Sequence, residues 1–197
     1  MLSIFLFSYK NFTLSVLIDG QVGGKMYSHS HHKMTEQGKL AHTLNGRLPG
    51  TEFYMSKDDP RIATAGLSPQ DGMYMIAPGV VKNDDGSFSK NTKVVTVESY
   101  YKEYYRMANV ETNTFSTDFL KLREMRLEYK LPGSTLKKTP FSKASIAFYA
   151  RNLFCITDYP LFDPESATLN GSSMVTGVET GSLPTARTFG LNINLSF

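Results

Sequence analysis

The chain has 197 residues, 41% of them hydrophobic and 20% charged, with a net charge of +3. So small a charge, with no Lys/Arg run and no interleaving of basic and aromatic residues, argues against nucleic acid as a partner. No run approaches the ~18 apolar residues of a transmembrane helix, and the single cysteine, Cys155, excludes an internal disulfide or a thiolate metal cluster within one chain.

Residues 2–8 and 12–19 form two apolar-rich runs around the link Tyr9-Lys10-Asn11. In the second, Phe12, Leu14, Val16 and Ile18 share one strand face against Thr13, Ser15 and Asp19, with Leu17 the apolar intruder. A short polar link between such runs predicts a β-hairpin over 2–19. The opening Met1-Leu2-Ser3-Ile4-Phe5-Leu6-Phe7 lacks the positive start and small-residue cleavage site of a signal peptide, so a strand is expected there.

Residues 21–118 differ in kind. They are punctuated by Gly23-Gly24, Pro49-Gly50, Asp58-Asp59-Pro60, Pro78-Gly79 and Asp84-Asp85-Gly86, and show no domain-sized core pattern. A long loop is expected, with a local hairpin across Val80-Val81 and Ser87-Phe88 and a short helix over 97–107. Ser28-His29-Ser30-His31-His32, followed by His42, holds metal-ligand residue types. Without a cysteine or a second shell in view, a polar surface loop is the expectation. The Asp58-Asp59 and Asp84-Asp85-Gly86 stretches lack EF-hand spacing and read as turns.

Strand character returns over 119–131. Met125, Leu127, Tyr129 and Leu131 alternate with Glu124, Arg126, Glu128 and Lys130, while Leu120 and Leu122 occupy the other phase. That slip means either a bulge near Arg123 or a strand already outside the apolar layer. Glu124 and Glu128, among basic neighbours on one face, read as mutual charge pairing rather than an acid/base couple. Pro132-Gly133 ends the strand, and a basic turn through Lys137-Lys138 leads to a strand over 144–154. There Ile146 and Phe148 face away from Ser145, Tyr149 and Arg151. A second long connection rich in Gly, Ser, Thr and Pro follows.

The last stretch, 188–197, is the plainest. From Phe189 every odd position is apolar (Leu191, Ile193, Leu195, Phe197) and every even one is Gly, Asn or Ser. About ten such residues, tilted as in a membrane barrel, rise roughly 25 Å, the height of an outer-membrane apolar band. The connections alternate short and long along the chain. That is the rhythm of barrels with short periplasmic turns and long extracellular loops. The fold class expected is therefore all-β: an antiparallel transmembrane β-barrel segment of about five strands, an incomplete barrel. Phe189, Leu191, Ile146, Phe148, Met125, Leu127 and Tyr129 would face lipid. Nothing in the spacing points to an enzyme: no phosphate loop, nucleophile elbow or triad appears.

The motifs taken together resemble the SusC/RagA family of TonB-linked outer-membrane proteins. They are Asp19-Gly20-Gln21-Val22-Gly23-Gly24, Phe119-Leu120-Lys121-Leu122-Arg123-Glu124, Ala150-Arg151-Asn152-Leu153-Phe154 and Phe162-Asp163-Pro164-Glu165. The closing segment from Gly181-Ser182-Leu183-Pro184-Thr185-Ala186-Arg187 to Phe197 completes them. The resemblance covers about residues 9–197 and only the C-terminal end of that family's longer chain. It implies the last strands of a TonB-dependent receptor in a bacterial outer membrane, importing a large nutrient, glycan or peptide. It implies as partners the remainder of the barrel and plug, a SusD-like lipoprotein, the TonB complex, the barrel-assembly machinery and outer-membrane lipid, with no cofactor or metal. Ile193, Leu195 and Phe197 would act as a membrane-assembly signal, although Gly190 departs from its tightest spacing. Tyr100, Tyr101, Tyr104 and Tyr105 are candidate substrate contacts in the long loop, or pack a small core of its own. The competing expectation is a secreted all-β binding module or adhesin with a soluble β-sandwich.

Overall fold

A computed structural model describes residues 1–165, 168–170 and 173–197. The chain divides into two compact units, residues 1–26 with 115–197, and residues 27–114.

The first unit is built on an antiparallel sheet of five strands: β1 (Leu2–Tyr9), β2 (Phe12–Gln21), β3 (Phe119–Lys130), β4 (Lys143–Thr157) and β5 (Thr188–Ser196). Each strand pairs with the next in sequence, giving an up-and-down meander with β1 and β5 at its edges. Tyr9 pairs with Phe12, so the first link is a two-residue turn in which Lys10 takes φ 52°. Asn11 ties it to β3, its Nδ2 donating to the Lys130 carbonyl at 2.7 Å.

Register sorts the side chains into two faces. Across one face run Tyr9, Phe12, Tyr129, Ile146 and Ile193, then Phe7, Leu14, Leu127, Phe148 and Leu191, then Phe5, Val16, Met125, Ala150 and Phe189. The opposite face carries Thr13, Glu128, Ala147 and Asn192 in one row and Ser15, Arg126, Tyr149 and Gly190 in the next. On the apolar face Phe189 and Leu191 stand 60% and 63% exposed. A sandwich would bury these rings between two layers.

The phase slip in β3 is a bulge. Leu17 pairs with Glu124 and Ile18 with Leu122, so Arg123 is the extra residue. On the other side, Asn152 and Leu153 fall between the pairs Arg151–Glu124 and Phe154–Leu122, with Asn152 at φ 52°. Leu120 and Leu122 thereby stay on the apolar side with Ile156 and Phe154. The bulge expected near Arg123 is therefore present.

The second unit holds small cores of its own, with Tyr74 and Tyr101 among their members. The ribbon Tyr74–Ile76 with Val94–Thr96 sends alternate residues to opposite sides. Tyr74 joins Met55 and Ile62 in one small core, with Ile76 and Val94 packed against it. Met75 joins Val97 and Tyr101 in another. Apolar positions drawn singly from such short pieces leave no periodicity to read. A helix, α1 (His29–Glu36), capped by Ser28, replaces the expected polar surface loop and buries His31 and His32. A second helix, α2 (Val97–Tyr104), is capped by the Thr96 hydroxyl. The hairpin pairs Val80–Lys82 with Phe88–Lys90.

Candidate functional site

The motifs singled out in the sequence meet at the end of the sheet remote from the two short turns. Lys121 points to the charged face there because the bulge has shifted its phase, and it pairs opposite Asp19 and Cys155. Its ammonium donates to Asp163 and Glu165, and its side chain is only 4% exposed. Arg123 donates through Nε and Nη2 to Asp19 Oδ2, at 3.1 and 2.7 Å, and through Nη2 to Glu165 as well. Both cations lie near the Phe119 ring, at 4.8 and 5.8 Å from its centre.

Asp163 anchors the second long connection to this node. It accepts from the Glu165 N–H at 2.9 Å and from the Thr185 hydroxyl at 2.7 Å, besides Lys121. Burial alone would raise its carboxyl pKa. These donors outweigh burial and hold it below the usual carboxylate range. Asn152, freed by its left-handed backbone, donates to the Ala186 carbonyl at 3.1 Å, tying the bulge to the segment that enters β5. At the β2 exit, Gln21 donates to Thr117 at 3.0 Å and Gly23 N–H donates to Asp118. A Cβ on Gly24, at φ 95°, would sit 2.6 Å from the Thr117 hydroxyl, so this crossing requires glycine. Short stretches far apart in sequence therefore fix one another. Asp19, Asp163 and Glu165 each face Lys121 or Arg123, which makes the node a structural clasp.

The other sequence-selected residues fall elsewhere. Phe189, Leu191, Ile146, Phe148, Met125, Leu127 and Tyr129 share the uncovered apolar face. Ile193 and Leu195 continue the same alternation, and Phe197 lies 5.2 Å from the Phe141 ring of the β3–β4 connection. Glu124 pairs with Arg151 at 2.8 Å, and Glu128 accepts from Ser145 at 2.7 Å, with Arg126 at 3.5 Å. Gly190 lies under the Tyr149 ring in closer contact than any side chain would allow.

In the second unit Tyr101 is buried, its hydroxyl shared between the His42 and Asn45 carbonyls at 2.7 and 3.1 Å. Tyr100 and Tyr104 stack at 5.4 Å, with Tyr104 exposed and the Tyr100 phenol pushed up to about 12, chiefly by burial. His31 stacks on His42 at 5.1 Å, and His42 on Tyr105 at 5.2 Å. The His31 ring also bonds Asn113 at 2.9 Å. Among the described residues no three His, Cys, Asp or Glu side chains converge as metal ligands. The His stack and the node both escaped the sequence reading, because their members are brought together only by the topology.

No protein-family model matches the chain. It is 31% identical over 87 residues, 42% of its length, to TonB-dependent receptor P3 of Formosa agariphila, of which that stretch is 9%. Two solved structures of RagAB, titled as a peptide transporter and as a peptide importer in the closed-closed state, match 96% of the chain. Their TM-scores are 0.56 and 0.54, at 20% and 18% identity. The chain corresponds to 16% of those larger chains. It therefore has the fold of part of a β-barrel transporter, an incomplete antiparallel wall.

Proposed function

We propose that this chain, similar in sequence to a TonB-dependent receptor and folded like part of the RagAB transporter, supplies contiguous wall strands of an outer-membrane barrel. That barrel would import a large nutrient, a glycan or a peptide, by TonB-driven transport. The observation that carries the reading is the two-sided sheet: an uncovered apolar face backed by a face of paired charges. Lipid on one side and a watery lumen on the other would satisfy both. Five strands are too few to close a lumen, and β1 and β5 leave backbone groups unpaired in hydrocarbon, so the wall needs further strands. The partners are then the rest of the barrel and its plug, the TonB complex, a SusD-like lipoprotein and the barrel-assembly machinery. Ile193, Leu195 and Phe197 serve as the signal for assembly. The unit over residues 27–114 lies on the extracellular side, where the exposed Tyr104 face, backed by Tyr100, contacts substrate. The clasp around Lys121 holds the second long connection to the sheet. The role is transport and not catalysis.

The test places tryptophan at Leu191 or at Asn192, one on each face, with the chain assembled into a complete barrel in brominated lipid. Strong quenching at position 191 and little at 192 is expected. Equal quenching at both, or none at either, would sink the wall reading.

A further inference from the structure

Charge is distributed unevenly along the strands. The short-turn end carries Lys10, Lys130, Lys137, Lys138 and Lys143, all exposed. Among the described residues none of these ammonium groups forms a salt bridge, and the acid of that end, Glu128, is engaged by Arg126 and Ser145. The opposite end instead pairs its cations, Lys121 and Arg123, with Asp19, Asp163 and Glu165. At one end the cations are thus paired with carboxylates, and at the other the described lysines form no salt bridge.

The same end holds a row of rings. Tyr9, Phe12 and Tyr129 lie on the apolar face, Phe12 and Tyr129 at 4.7 Å, and Phe141 with Phe197 closes the row at 5.2 Å. Lys10 lies in the turn beyond Tyr9 with its ammonium 5.3 Å from that ring's centre, and Lys137 and Lys138 lie in the exposed turn that follows Leu136 in the β3–β4 connection. Rings at the apolar boundary with amines just past them match the vertical order of a bilayer, acyl chains first and phosphates next. Lysine stems allow the ammonium to reach outward while the methylenes stay against the boundary.

We propose that this end of the sheet is a binding surface for anionic phospholipid headgroups, with Lys10, Lys137 and Lys138 contacting lipid phosphate. Lys130 and Lys143, on the charged face, add to the local potential without touching lipid. The inference rests on the wall reading, because it takes the ring row as the acyl boundary. A polybasic protein segment near an anionic surface gains about fivefold in binding per lysine, so these three lysines together give roughly a hundredfold.

The full chain, held in mild detergent, is diluted onto phosphatidylcholine vesicles and onto the same vesicles doped with phosphatidylglycerol, and bound fractions are measured by flotation. Wild type is compared with K10Q/K137Q/K138Q and with K10R/K137R/K138R. The glutamine variant is expected to lose roughly a hundredfold on doped vesicles at low salt and nothing on phosphatidylcholine. The arginine variant should behave as wild type, and the gap should close as salt shortens the Debye length. Equal binding of wild type and glutamine variant to doped vesicles overturns the proposal. So does complete displacement by millimolar inorganic phosphate at constant ionic strength, which would mark a free-anion surface. Failure of wild type to associate with phosphatidylcholine vesicles at all would instead count against the wall reading, so the two failures are distinguishable.

Discussion

Lys121→Met is the sharpest perturbation of the clasp. The substitution keeps the length and the apolar stem, and removes the ammonium that Asp163 and Glu165 share. Lys121 and Asp163 side chains are 4% and 6% exposed, so water cannot replace the lost partner without opening the connection. Removing one member of a buried pair costs about 3–5 kcal/mol, because the remaining charge is stranded. Asp163 retains the Glu165 N–H and the Thr185 hydroxyl, and Glu165 retains Arg123, which puts the expectation near the lower end. A loss of about 3 kcal/mol is roughly a 150-fold change in a local opening equilibrium.

The assay is amide hydrogen exchange read by mass spectrometry on the detergent-held chain, following peptides around Glu165 and Thr185. Protection there should fall by about two orders of magnitude while the β4–β5 ladder keeps its own. Adding Asp163→Asn to Lys121→Met removes the stranded charge, so the double variant should lose less than the sum of the singles. Lys102→Met, which breaks an exposed pair with Glu98, is the control and should leave protection around Glu165 and Thr185 unchanged. Unchanged protection at Glu165 in Lys121→Met would refute the idea that this pairing holds the connection.

Gly190→Val should push the Tyr149 ring off the charged face and destabilise the sheet by about 1–3 kcal/mol in urea titrations, with Tyr149→Ala restoring part of the loss. Burial lowers the imidazole pKa of His31, His32 and His42, aided by Lys33 at His32 and by His31 at His42. Unfolded imidazoles take up protons below about pH 6.5 while the folded ones resist, so this stabilisation is whole above that pH and is lost as pH falls through the folded values. Near-ultraviolet dichroism of the tyrosine stack should show the denaturant midpoint falling between pH 7 and 5, and a flat profile would contradict it. Deleting Arg123 should leave the apolar and charged faces of β3 intact by site-directed labelling, yet loosen the contact with Asp19 and Glu165; inversion of the faces would count against the bulge assignment.

The all-β class and the antiparallel sheet were legible because strand alternation is a local signal. Phe189, Leu191, Ile193 and Leu195 announce a two-faced strand whatever surrounds them. The phase slip between Leu122 and Met125 was equally visible, and only pairing with Leu17 and Ile18 could decide between its two explanations. The cores of the second unit were legible only in their tyrosines, Tyr74 and Tyr101. Met55, Ile62 and Tyr74 come from separate short elements, so no window of sequence contains their pattern. Nor was the burial of His31 and His32 legible, since a histidine-rich run signals polarity until Asn113 and Tyr27 supply partners.

The bulge links these levels. Along β3 the charged side runs through Lys130, Glu128, Arg126 and Glu124, so strict alternation would send Lys121 and Arg123 to the apolar face beside Met125. An ammonium there would lie among apolar side chains, away from the carboxylates that pair it. One extra residue at Arg123 turns Lys121 back to the charged side and keeps Leu122 and Leu120 on the apolar side. The matching irregularity in β4 places Asn152 where it can hold Ala186. A single unit of backbone irregularity thus lets one strand serve a two-sided sheet along its length and a buried ionic clasp at its end.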